Sequence, residues 1–206
     1  MERVDKISKV FLRFHFLPFF VISLILILLF PLFFGIENLA FVESANVYER
    51  IFPIIGLVLF IPLFLPDCDR NILEVIQTKK TSYLKILVIR LVQILITLLF
   101  FTIICLIIFQ LKNSDIKFGL FLFGGVADVC FLAGLMCLIF SLTMQPVTGL
   151  IAPIAYYIIC LFTGDKYLKT FYFFTLVNED FRSKLLLLTV GIILITISCL
   201  VANKRK

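Results

Sequence analysis

The sequence predicts an all-α membrane protein with six transmembrane helices, on three observations. Of its 206 residues 62% are hydrophobic and only 16% charged, with 25 Phe and no Trp, and the mean hydropathy is +1.16. A water-soluble domain of this length could not hide so much apolar surface. The apolar residues fall into six long runs, read against a hydrocarbon core about 30 Å thick and a helical rise of about 1.5 Å per residue. The polar intervals between the runs are short and no internal repeat divides the chain, so residues 1–206 read as a single transmembrane domain.

The first run, 16–34, follows Arg3, Lys6, Lys9 and Arg13 and has no small-residue cleavage site after it, so it reads as a retained span rather than a signal peptide. Residues 35–48 carry Glu37 and Glu43 but no Lys or Arg and read as a loop. The second span, 50–65, holds Pro53 and Pro62; proline lacks the amide donor, so this span is expected to be bent or frayed at its inner end. The third span is 86–109, a polar loop covers 110–117, and the fourth span is 118–143. Only Met144 and Gln145 separate it from the fifth, 146–163, and Pro146 suits the first turn of a helix, so spans four and five form a tight hairpin. A mixed segment, 164–184, leads to the sixth span, 185–202, and a basic tail anchors to anionic lipid.

An even number of spans puts both termini on one side. With that side inside, 12 of the 19 Lys and Arg lie there (Arg3, Lys6, Lys9, Arg13, Arg70, Lys79, Lys80, Lys85, Arg90, Lys204, Arg205, Lys206) and seven lie outside. The positive-inside rule therefore predicts cytoplasmic termini and a cytoplasmic segment between spans two and three. The bias toward Ile, Leu, Phe and Lys hints at a low-GC bacterial genome, and hence a bacterial plasma membrane.

That segment, from Asp67 to Arg90, is the longest polar interval between two apolar runs. Asn71 followed by Glu74 has the form of a capping box, and Asp67 and Asp69 just upstream favour the positive end of a helix dipole. Arg70 lies between the acids and the cap. Ile72, Val75 and Ile76 share one helical face with Leu73 beside them, whereas Glu74 and Gln77 point elsewhere. The spacing predicts a short amphipathic helix at the membrane surface, broken by 78–82. Lys85 and Arg90 mark the inner end of span three, where basic side chains can snorkel to the headgroups. On the residues alone, an interfacial linker reads equally well.

An acid at the end of span two, then N-I-L-E-V-I-Q-T, then Thr81-Ser82 and a base one turn into span three resembles the permease subunits of ABC transporters of the type 2, exporter family. The chain departs from the family pattern in having Asn71 where Gly is frequent and Lys80 where Pro is frequent nearby. The resemblance implies six spans with a coupling helix between spans two and three that sits in a cleft of a separate ATPase. It maps the acid to Asp67 or Asp69, the helix acid to Glu74, the Ser to Ser82 and the base to Arg90. The docking surface it implies runs over Asp69, Arg70, Asn71, Ile72, Leu73, Glu74, Val75, Ile76 and Gln77. Two permease chains, identical or related, would then work with two ATPase subunits in the bilayer. ATP and Mg would bind in the ATPases and no cofactor in this chain, and the cargo would be amphipathic or hydrophobic, such as an antimicrobial or toxin-like peptide.

Asp128 lies about 11 residues into span four, near the midplane, where an ionised carboxylate facing lipid costs at least about 2.5 kcal/mol. It is expected to face protein or a water-filled cavity, as a contact for cargo, a proton carrier, or a structural hydrogen bond to a Ser, Thr or Gln of another span. Gln93 of span three is the other intramembrane polar residue of a candidate substrate path, and Gly124 and Gly125 suit close helix packing. The aromatics of 164–184, Tyr167, Phe171, Tyr172, Phe173, Phe174 and Phe181, fit an interfacial belt. In the family it resembles, short re-entrant helices occupy this place.

Six cysteines without a CxxC pair, five of them inside apolar runs, and a single His15 point away from a disulfide framework or a metal site. No GxxxxGK[ST], HExxH or GxSxG occurs, so the chain is expected to be non-catalytic. Nucleic acid is not an expected partner. Two other classes stay open: a proton-coupled secondary transporter using Asp128, and an ATPase-independent membrane protein that binds a toxin, as an immunity protein would.

Overall fold

The structure, a computed structural model, describes residues 9–68, 83–164 and 171–204. Six helices long and apolar enough to cross a membrane account for most of the described chain, and no strand occurs among the described residues. Helix α1 (Leu17–Phe34) is entered through a π-helical stretch, Phe11–Phe16. Helix α2 (Phe41–Phe60) tightens into a 3₁₀ turn, Ile61–Leu63, at the end that carries Pro62. Helices α3 (Tyr83–Leu111), α4 (Phe118–Thr143), α5 (Pro146–Thr163) and α6 (Phe181–Lys204) follow. The bounds of the fourth and fifth spans are those the sequence predicts. Met144 takes a left-handed conformation, φ 56°, and closes the hairpin between α4 and α5 ahead of Pro146.

Span three runs over Tyr83–Leu111 rather than 86–109, and spans two and six begin earlier still, ahead of their polar residues. Span two starts at Phe41 rather than at Arg50. The Glu43 carboxylate accepts the Ala40 N–H at 3.4 Å, which fixes the first turn. Ala45, Tyr48, Glu49 and Phe52 then turn inward at helical spacing and are buried. Span six starts at Phe181 rather than Leu185, because Asp180 accepts hydrogen bonds from the amides of Arg182 and Ser183 and from the Ser183 hydroxyl. The Ser183 hydroxyl, at 2.6 Å, is the main cause holding the Asp180 carboxyl below its ordinary range. Lys184 therefore belongs to the helix and not to the preceding loop.

Helix α4 is the centre of the bundle, packed against α2, α3, α5 and α6. Of its most apolar window 67% is buried, against 22% for α1 and α5, whose Leu32, Phe33, Ile151, Ile154 and Phe162 point outward as lipid-facing side chains do. Helices α4 and α6 approach each other backbone to backbone. A Cβ on Gly191 would lie 2.7 Å from the carbonyl carbon and oxygen of Cys130, so only glycine lets these two backbones meet.

The glycine pair in the first third of α4 is used for packing, as the sequence suggests, against two different groups. Gly124 faces Leu176, and Gly125 leaves room for the ring of Tyr48, whose hydroxyl would lie 2.0 Å from an added Cβ. That hydroxyl is buried without a hydrogen-bond partner. Gly125→Ala is accordingly expected to destabilise the protein by about 1–3 kcal/mol. Tyr48→Phe, which removes the obstructing oxygen, should recover a good part of that loss when combined with it. Thermal unfolding of the two single variants and the double variant in detergent checks this; additive losses would contradict it.

Five cysteines (Cys105, Cys130, Cys137, Cys160 and Cys199) are buried and free, and Cys68 is exposed. Among the described residues no cluster of His, Cys, Asp and Glu could hold a metal ion.

Candidate functional site

Two buried clusters of charge lie at different levels of the bundle. The first joins Glu49 of α2, Asp128 of α4 and Lys184 of α6, each 0–1% exposed at its side chain. The Lys184 ammonium lies 2.8 and 2.7 Å from the two Asp128 oxygens and 2.6 Å from Glu49 Oε1, and it donates to the Phe173 carbonyl at 2.7 Å. Glu49 Oε1 also accepts the backbone N–H groups of Thr175 and Leu176, at 3.0 and 2.9 Å. One lysine and one glutamate thus tie three helices to the segment 171–180. In a low-dielectric interior an ion pair holds only if its remaining hydrogen-bonding capacity is met, and here backbone groups meet much of it.

The segment 171–180 does not lie wholly at the interface as an aromatic belt would. Phe173 and Leu176 are fully buried and Phe174 nearly so, while Phe171 and Phe181 stay exposed. A 3₁₀ turn, Leu176–Asn178, packs on α2 and α4, with Leu176 seated over Gly124. Tyr156 donates to the Phe171 carbonyl, and Lys117 pairs with Glu179 at the exposed edge. The segment therefore turns inward at the pole formed by the α1–α2 and α3–α4 loops. Tyr167 lies outside the described residues. On the same pole Lys112 pairs with Glu37 and holds that carboxyl below its ordinary range through their hydrogen bond.

Asp128 faces protein, as expected for a carboxylate at that depth, but its partner is a lysine and not a Ser, Thr or Gln. Two circumstances hid this in the sequence. Lys184 read as a loop residue, and Glu49 stood at the edge of an assumed loop. The available signal was the 3–4 spacing of Ala45, Tyr48, Glu49 and Phe52, which continues the apolar face of span two backwards. Gln93 is half-buried on α3, where its backbone carbonyl accepts the Thr97 hydroxyl at 2.9 Å.

The second cluster lies at the opposite pole, where α2 ends and α3 begins. Arg90 donates to both Asp67 oxygens, at 3.2 and 3.1 Å, and to the Leu63 carbonyl at 3.1 Å. Tyr83 donates to Asp67 Oδ2 at 2.6 Å, and the Arg90 guanidinium stands 5.4 Å from the ring centre of Phe11. Arg90 is 5% exposed and Asp67 2%. Arg90 thus does not snorkel toward headgroups; a buried carboxylate one side of the polar segment and a carbonyl of the 3₁₀ turn take its hydrogen bonds instead. Residues 69–82 fall outside the described residues, and with them the expected amphipathic helix and every residue of the expected docking surface from Asp69 to Gln77.

Comparison of the chain with protein-family models, with curated proteins and with solved structures finds no match in any of the three.

Proposed function

We propose that the protein is the membrane-spanning subunit of an ATP-driven exporter, with the segment between α2 and α3 receiving a separate ATPase. The observation that carries this reading is the Asp67–Arg90–Tyr83 cluster. It fastens the two flanks of the polar segment to each other, since Asp67 follows the 3₁₀ end of α2 whereas Tyr83 and Arg90 lie in the first turns of α3. A force applied to the segment then moves α2 and α3 together and does not simply splay them. Helix α2 carries Glu49 and packs on α4, so the movement has a route to the bundle centre. The resemblance of Asp67, N-I-L-E-V-I-Q-T and Arg90 to the type 2 exporter pattern supplies the identity of the partner.

The orientation this requires agrees with the charge distribution. Lys184 among the outer bases and Arg90 among the inner ones are each paired with carboxylates inside the bundle, and the inner side keeps the excess of Lys and Arg when both are discounted. In this reading two permease chains and two ATPase subunits form the working unit in a bacterial plasma membrane. ATP and Mg act in the partner, and an amphipathic or hydrophobic cargo, a peptide of the antimicrobial or toxin-like kind among them, crosses between the permeases by alternating access.

Extraction in mild detergent tests the proposal. The chain is expected to carry ATP-hydrolysing activity through purification. Reversing charge at both Arg70 and Glu74 should remove that activity by at least tenfold while membrane insertion is unchanged. A purified chain free of ATPase, or association indifferent to the double reversal, would sink the reading.

A further inference from the structure

The cluster around Lys184 is unequal in charge: two carboxylates, Glu49 and Asp128, share one ammonium, and all three side chains are closed to solvent. The inequality is borne unevenly. Both Asp128 oxygens receive the ammonium, and Glu49 Oε1 receives it together with two backbone N–H groups. Glu49 Oε2 has no hydrogen-bond donor, although it is buried. Thr175, whose N–H binds Glu49, has its own hydroxyl buried without a partner. A net negative charge and a bare carboxylate oxygen in a dry interior are both costly, whereas a carboxylic acid there removes the charge and gives the oxygen a proton to donate.

We infer that Glu49 binds one exchangeable proton at Oε2 and that this proton keeps the segment 171–180 docked in the bundle. The site is a proton site, distinct from the polar segment between α2 and α3 and independent of whether an ATPase binds there. With the proton in place, Asp128 and Lys184 form a neutral pair, and Glu49 presents Oε1 as the acceptor for Thr175 and Leu176. The charged groups facing Glu49 are Lys184 from α6 and, on the same ammonium, Asp128 from α4; the 171–180 segment contributes backbone N–H groups, and Tyr48 is its neutral neighbour on α2. Because the docked form binds one proton more than a form in which the segment is released to water, docking is favoured at low pH and weakens as pH rises.

Infrared spectroscopy of the purified protein at neutral pH reads the proton directly, as a protonated-carboxyl C=O stretch. Glutamate-selective ¹³C labelling is expected to shift that band in the wild-type protein, and Glu49→Gln to abolish it. Glu37, Glu43 and Glu179 are exposed, and loss of the band in Glu49→Gln assigns it to the buried glutamate. Asp128→Asn should abolish the band as well, since Lys184 then faces Glu49 alone and the charges balance without a proton. Absence of a glutamate-derived band in the wild type, a band that follows aspartate labelling, or one that survives Glu49→Gln would each overturn the inference. If Glu49→Gln does not fold, the isotope shift in the wild type decides.

Discussion

Lys184→Met is expected to destabilise the protein by about 3–5 kcal/mol, the loss that follows removal of one partner from a buried ion pair. Methionine nearly matches the volume of lysine, so the loss is electrostatic and not a cavity effect. Asp128 would lose the cation that contacts both its oxygens, Glu49 would lose one of three donors, and the Phe173 carbonyl would lose its donor. The consequence is local before it is global. The segment 171–180 should release first, because Lys184 and Glu49 provide the polar ties that hold Phe173, Thr175 and Leu176. Thermal unfolding followed by a thiol-reactive fluorophore measures this well, since five cysteines are buried and Cys68 gives a constant background. Replacing the cluster as a whole, with Lys184→Met, Asp128→Leu and Glu49→Gln together, should restore most of the loss, because uncharged side chains of similar volume can match a buried ion pair and Gln keeps an acceptor for the Thr175 and Leu176 amides. A single variant that melts with the wild type would show that the cluster carries no stability.

Gly191→Val is expected to cost about 3 kcal/mol or more, at the upper end of overpacking losses. The reason is the identity of the atoms in the way. An added Cβ meets the backbone carbon and oxygen of Cys130 at 2.7 Å and the Phe131 nitrogen at 2.8 Å, and backbone inside a helix cannot rotate aside as a side chain can. Gly134, whose added Cβ would lie 2.8 Å from the Gly191 carbonyl, belongs to the same crossing. Gly119 provides the control. Nothing lies within 4 Å of its added Cβ, so Gly119→Ala should be neutral or stabilising by about 0.5–1 kcal/mol through helix propensity. Equal effects at the two glycines, in the same unfolding measurement, would contradict the packing argument.

The hydrophobic pattern made the helical frame legible. Spans four and five emerge with their ends because Lys117, Met144, Gln145 and Pro146 are unambiguous punctuation between long apolar runs. Spans two and six extend further at their N-terminal ends than the pattern indicates, for a shared physical reason. Glu49 and Lys184 are helical residues whose charge is satisfied by partners far apart in sequence, and a single chain read in order gives a charge no partner. Asp128 was recognised as a residue that must face protein, because the cost of a lipid-facing carboxylate follows from depth alone. Its partner was not recognisable, since that depends on how α6 crosses α4 at Gly191. At the other pole the acid near the end of span two and Arg90 were both singled out, yet the reading of Arg90 as a snorkelling base missed that Asp67 lies within hydrogen-bond reach. A base one turn inside a span has two outlets, the headgroups or a buried acid, and spacing does not choose between them.

On the proposed function, the segment between α2 and α3 is the surface that a partner ATPase grips. Photo-crosslinking from position 73, with a photoreactive amino acid in place of Leu73 and the protein in its native membrane, tests that most directly. An adduct with a nucleotide-hydrolysing protein is expected, and it should disappear when Arg70 and Glu74 are both charge-reversed. Adducts with lipid alone, or with this chain alone, would contradict it.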